Sequence, residues 1–211
     1  MSAVLPDSRS AFAVEFNVPR GTMAKLDMYV AMLTDWQSRM NLVGRSTLPL
    51  VWDRHIRDSA QLMNLVPGTG YTLPWLDIGA GAGFPGLVLA AMAGVEVHLV
   101  ESVGKKARFL SAVADSLDLA ETVRVENCRI EALRRFEASV ITARACASLA
   151  QLFDWGLGFS TNATTWLLPK GASVAVELAE AKLHFSFDYS LANSLTDVNG
   201  RIVVARGVKR R

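Results

Sequence analysis

Residues 76–90 read LDIGAGAGFPGLVLA, with glycines at 79, 81, 83 and 86 between an apolar run and an apolar segment of helix length. A glycine-rich turn joining a strand to a helix brings backbone N–H groups close to a ligand at the carboxyl end of the strand. Four glycines within eight positions exceed what a tight turn alone requires. Two ligand classes compete for such a loop. Gly81, Gly83 and Gly86 spell the G-x-G-x-x-G fingerprint of dinucleotide-binding folds, whereas Gly79, Gly81 and Gly83 start the loop two residues earlier, just past Asp77 and Ile78.

Around the loop, TLPWLDI, VEVHLVE, TVRVEN, ASVITAR and TTWLLPK are short β-prone runs separated by segments of helix length. That alternation predicts parallel strands with helices on both faces. Near the end of the chain, LHFSFDYSLA and RIVVARGV are joined by the turn-rich NSLTDVNG, which leaves no room for a helix and predicts an antiparallel hairpin. Before the first strand, Met23, Leu26, Tyr29, Val30, Leu33, Trp36 and Met40 recur at helical spacing as far as Gly44. A second helical pattern runs from about Leu48 to Val66 and ends in PGTG, which reads as a turn. The expected organisation is therefore a helical extension over 1–70 and an α/β unit over 71–211, packed together. The α/β unit is expected to be Rossmann-like.

Of the 211 residues, 51% are hydrophobic and 20% charged, with a net charge of +2, which suits one sizeable core and announces no nucleic-acid binder by charge alone. Cys128 and Cys146 lack the spacing of a zinc site or a disulfide framework. No secretory leader or membrane span is expected, so a cytoplasmic, monomeric protein with no metal is the expectation.

Three details favour S-adenosylmethionine over a dinucleotide. Asp77 at the strand end would repel a pyrophosphate and suit a cationic sulfonium ligand. Phe84 and Pro85 open the following helix, where a missing N–H is tolerated. The third is length, because the chain closes on a hairpin without a second nucleotide-binding half. Glu101, ending the second strand, can accept both hydroxyls of a ribose in either cofactor. A methyltransferase is the leading alternative and a nicotinamide oxidoreductase the other.

MNLVGRS, WDRHIRDSAQL, LDIGAGAGFPGLVLA, ESVGKKARFL, ARACASLAQL and LLPKG occur in this order between Met40 and Gly171. Together they resemble the bacterial RsmG (GidB) family of small-subunit rRNA guanine-N7 methyltransferases. The resemblance implies a class I methyltransferase fold, S-adenosylmethionine as donor and 16S rRNA or the small ribosomal subunit as partner; apart from it, a methyltransferase of another RNA or of a small molecule is the alternative. Carried over by position, it implies cofactor contacts at Gly79, Phe84, Ile130, Glu131 and Arg144, with Glu101 as the ribose acid; Asp77 and Gly81 join them from the loop reading.

Guanine N7 carries no proton at neutral pH, so no general base is expected. Arg144, directly after an apolar strand, is the residue expected to contact cofactor or RNA, and Lys170 is expected at the pocket mouth within reach of phosphate. Arg54 and His55 on the second helix, and Lys105 and Lys106 at the start of a later one, are the remaining candidate RNA contacts. Arg54 and Asp58, four apart, can pair with each other. Cys146 is expected to be a small buried helix residue, and the basic end of the chain, Arg206 to Arg211, to be mobile.

Overall fold

A computed structural model describes residues 7–66, 68 and 72–211. Seven strands form one sheet in the order β3-β2-β1-β4-β5-β7-β6. Strands β1 (Trp75–Ile78), β2 (Val97–Val100), β3 (Val123–Glu126), β4 (Val140–Thr142) and β5 (Thr165–Lys170) run parallel. β6 (Phe185–Asn193) and β7 (Arg201–Arg210) form the antiparallel hairpin, with β7 laid against β5. Every residue of β1 is buried because both faces of the sheet are covered, as a parallel sheet requires. β1 has β2 on one side and β4 on the other, so the order reverses there and a crevice opens beyond the carboxyl ends of the strands.

Helices α4 (Gly86–Ala93) and α5 (Gly104–Ser116) cover one face, α6 (Leu149–Gly156) and α7 (Val174–His184) the other. The amino-terminal helices α1 (Ser8–Glu15) and α2 (Arg20–Gln37) extend the first of these layers. Phe12, Leu26, Tyr29 and Leu33 are completely buried in the same hydrophobic cluster as Trp75, Leu87 and Phe109. The extension thus shares its core with the sheet.

Several elements differ from the sequence expectation. α1 was not anticipated; Asp7 caps it, accepting from the Ser10 amide at 2.8 Å. α2 stops at Gln37, well short of Val43, because the Gln37 carboxamide oxygen accepts from the amides of Leu42 and Val43 and turns the chain back. The second helical stretch is not regular: a wide π turn at Trp52–Arg57 leads into the short α3 (Asp58–Ala60), with 3-10 turns at Leu48–Leu50 and Gln61–Leu65. The turn expected over 67–70 lies, except for Gly68, outside the described residues. The basic end, as far as Arg210, is no free tail. It forms β7, where Arg206 Nε donates to Thr165 Oγ1 at 3.2 Å and Arg210 pairs with Asp154.

Candidate active site

A cavity of about 830 Å³ occupies the crevice at the carboxyl ends of the parallel strands. The glycine loop forms its floor. Gly79 has φ +70°, and a Cβ there would lie 2.9 Å from Cys146 Cβ, so only glycine leaves this wall as it is. At Gly86 the constraint is proximity, since a Cβ would fall 2.2 Å from Leu99 Cδ2 and 2.7 Å from Asp77 Oδ2. The loop is gripped from outside by Tyr29 on α2, whose buried hydroxyl donates to Ala82 O and whose ring stacks on Phe84.

Glu101 follows β2 and reaches back to the loop. Its Oε2 accepts from Gly81 N at 3.0 Å and its Oε1 from Val103 N at 2.7 Å. A carboxylate offers about four acceptor positions, so this one is fixed in place with capacity left for further donors. Gly79, Gly81, Phe84, Glu101, Ile130, Glu131 and Arg144, named from sequence, all line the same cavity, as do Arg54, His55, Lys106 and Lys170. Lys105 is exposed but lies off the cavity wall.

Asp77 does not face the cavity. It is fully buried behind the loop, with Oδ1 accepting from Thr142 Oγ1 at 2.8 Å and Oδ2 from the Gly86 amide at 3.0 Å. Burial pushes its carboxyl up to about 7 against the opposing effect of those two bonds. Its task here is to tie the start of α4 to β1 and β4.

Lys170 is likewise no solvated cation. Its Nζ donates to Ala147 O at 2.7 Å and pairs with Glu177 at 2.8 Å, with only 8% of the side chain exposed. Glu177 also accepts from the Leu149 amide and the Ser173 hydroxyl, which fixes the entry to α6. Burial raises the Glu177 carboxyl while Lys170 lowers it further, leaving it below the usual range. Cys146 lies before α6 and is exposed on the cavity wall, its thiol donating to Ile78 O at 3.3 Å. Desolvation of the thiolate, followed by the Asp77 charge, pushes this thiol up to about 11.

Arg54 and Asp58 do not pair. Asp58 Oδ2 binds Arg144 Nη1 at 2.9 Å and its Oδ1 accepts from the Thr196 hydroxyl at 2.6 Å, while Arg54 is exposed with Nη1 3.5 Å from Thr196 O. Arg144 also donates Nη2 to His55 Nδ1 at 2.9 Å and sits over the Phe84 ring at 5.1 Å. Burial, reinforced by the Arg144 cation, holds the His55 ring neutral with its pKa down at about 4. Sequence reasoning missed Tyr29, Thr47, Asp58 and Thr196 as site builders. Tyr29 and Thr196 come from distant parts of the chain, and the β6–β7 connection carrying Thr196 reads only as a turn. Arg129 and Arg201, also missed, add cations to the wall. Among the described residues no cluster of His, Cys, Asp and Glu is placed to hold a metal ion, and no helix is long and apolar enough to cross a membrane.

The profile of the rRNA small subunit methyltransferase G family matches residues 22–205. A ribosomal RNA small subunit methyltransferase G of Rhizorhabdus wittichii is 45% identical over 199 residues, covering 94% of this chain and 91% of the relative. One from Rhodospirillum rubrum is 42% identical, covering 92% and 94%. Among solved structures, a geranyl diphosphate C-methyltransferase from Streptomyces coelicolor with S-adenosyl-L-homocysteine aligns with TM-score 0.56 at 13% identity, covering 70% of this chain and 76% of that one. A tRNA (m1A58) methyltransferase from Aquifex aeolicus aligns with TM-score 0.56 at 13% identity, covering 71% and 68%. At such identities the structural likeness speaks for the fold, which is that of the class I methyltransferases.

Proposed function

The chain belongs to the rRNA small subunit methyltransferase G family, and from that premise we propose that it moves the methyl group of S-adenosylmethionine to N7 of a guanine in 16S rRNA. The observation that carries the cofactor assignment is Glu101, a carboxylate locked by two backbone amides beside a glycine loop and still able to accept from a ribose. Ile130 and Glu131 stand on the same wall, which we assign to the adenine, and Gly79, packed against Cys146, belongs to the floor we assign to the ligand's amino-acid end. The cofactor supplies an electrophilic methyl on a sulfonium. Everything else required is alignment of nucleophile, methyl carbon and sulfur, together with exclusion of water.

The N7 acceptor is what membership of the family implies, and proton accounting at two candidate groups agrees with it. His55 is a neutral ring with both nitrogens hydrogen-bonded, and Cys146 is a thiol at neutral pH. Neither can take a proton from a nucleophile, and guanine N7 has none to give. Arg54, Lys105 and Lys106, joined by Arg129 and Arg201, are the cations we assign to the RNA backbone. Lys170 drops out of that set because Glu177 and Ala147 already occupy its ammonium.

The test is transfer of labelled methyl to small ribosomal subunits and to their purified rRNA, followed by borohydride reduction and aniline cleavage, which cuts at N7-methylguanosine. A single discrete cut is expected. Label without a cut would refute the N7 assignment while leaving RNA methylation standing.

A further inference from the structure

His55 holds no proton that methyl transfer needs, yet both ring nitrogens and one ring face are engaged. Arg144 Nη2 lies 2.9 Å from Nδ1, Thr47 Oγ1 lies 2.8 Å from Nε2, and the ring stacks on Phe84 at 4.9 Å between centroids. A guanidinium only donates, so Nδ1 accepts and the neutral ring carries its hydrogen on Nε2. Nε2–H then donates to Thr47 Oγ1, whose own proton goes to Gly44 O at 2.7 Å. One tautomer satisfies the whole chain of bonds. Beyond the ring, Arg144 Nη1 is held by Arg54 O at 3.1 Å and by Asp58, which Gln61 and Thr196 hold in turn. The π turn, the glycine loop and the β6–β7 connection therefore converge on one guanidinium that follows β4.

We infer that His55 is a positioning residue for methyl transfer: as the Nε2–H tautomer it fixes the plane of the Arg144 guanidinium over Phe84 and so shapes the wall against which the reactants are held. The inference rests on the methyltransferase function proposed above. It takes His55 away from RNA contact and gives it a task performed through Arg144.

Two isosteres separate the ring's two ends. Asn places a carbonyl oxygen near the position of Nδ1 and can still accept from Arg144. Gln places an amide N–H near Nε2 and keeps only the Thr47 side. His55→Gln should lower kcat on small-subunit RNA by about ten- to a hundredfold, the value of a lost hydrogen bond to a charged group, and His55→Asn should recover roughly tenfold of that at a similar melting temperature. In the Arg144→Ala background His55→Gln should cost no more than about twofold further, because residues acting as one unit are not additive. Read without substrate, long-range nitrogen-15 correlation should show the Nε2–H tautomer in the wild type and lose that fixed signature in Arg144→Ala. Gln matching or exceeding Asn, multiplicative losses with Arg144→Ala, or an Nδ1–H tautomer would each overturn the assignment. The wild type in the same assay separates the two claims, since no transfer by it counts against the methyltransferase function while the tautomer still tests His55.

Discussion

Gly79→Ala distinguishes backbone conformation from contact as the reason the cavity floor is glycine. With φ at +70° and a new Cβ 2.9 Å from Cys146 Cβ and 3.1 Å from its Sγ, the variant carries both costs. A left-handed backbone costs an L-residue about 1–2 kcal/mol. Forcing a methyl into an already packed wall adds roughly 1–3 kcal/mol. Gly81 separates the two: its φ is +59°, but a Cβ there would meet nothing closer than Gly79 O at 3.7 Å, an ordinary contact. Gly81→Ala should therefore show the first cost alone. Cys146→Gly removes the obstructing atoms, so the Gly79→Ala/Cys146→Gly double variant should be more stable than the sum of the single effects by about 1–2 kcal/mol, a coupling of the size seen between touching residues. For a chain of this length each kcal/mol moves Tm by about 2–4 °C, which puts Gly79→Ala roughly 5–15 °C below the wild type and Gly81→Ala roughly 2–8 °C below. The assay is thermal unfolding followed by circular dichroism, with calorimetric titration of S-adenosylhomocysteine alongside. Additive behaviour of the double variant, or equal damage at Gly81 and Gly79, would refute the reasoning.

Acid stability should depend on two buried groups of opposite sign. The folded pKa of His55, in contact with Arg144 and near Asp58 and Arg54, is about 4 against 6.5 unfolded, so its contribution is present above 6.5 and is lost as pH falls towards 4. Asp77, at about 7 against 3.8, contributes fully below 3.8 and loses that contribution as pH rises through 7. Urea unfolding as a function of pH should show Asp77→Asn removing the loss between pH 4 and 7, and His55→Asn removing the acid limb, each on the order of 3 kcal/mol. Tyr29→Phe leaves the buried Ala82 carbonyl without its donor and should cost about 1–2 kcal/mol in the same assay, with weaker cofactor binding because the loop is no longer gripped. Lys170→Met should destabilise by about 3 kcal/mol, as expected when one partner of a buried pair is removed, and adding Glu177→Gln should restore part of it. Lys106→Gln should leave Tm unchanged and reduce the slope of log K for RNA against log salt by about one.

The sheet was legible because its signal is local: short β-branched runs alternate with helix-length segments, and all five parallel strands fall where that pattern puts them. The stretch after Gly44 was not, because its pitch answers to tertiary partners; His55 is held by Phe84 and Arg144, and Asp58 by Arg144 and Thr196. Asp77, buried behind the loop, and Lys170, on the cavity wall with its ammonium tied to Ala147 and Glu177, share one cause. Both are within the hydrogen-bonded ladder, Asp77 opposite Leu99 and Thr142, Lys170 opposite Arg201. Inside a ladder, side chains alternate between faces. Alternation puts Asp77 on the face of Trp75, beneath α4, and Lys170 on the face of Trp166 and Leu168, beneath α7 and its Glu177. Glu101 and Arg144, read correctly onto the cavity wall, lie beyond the last laddered residues Val100 and Thr142. An ion at a strand end is therefore free to meet the ligand only when it has passed the final cross-strand partner; within the ladder the layer helix claims it, Asp77 at the start of α4 and Lys170 at Glu177 of α7, and the same charge becomes part of the frame around the cavity.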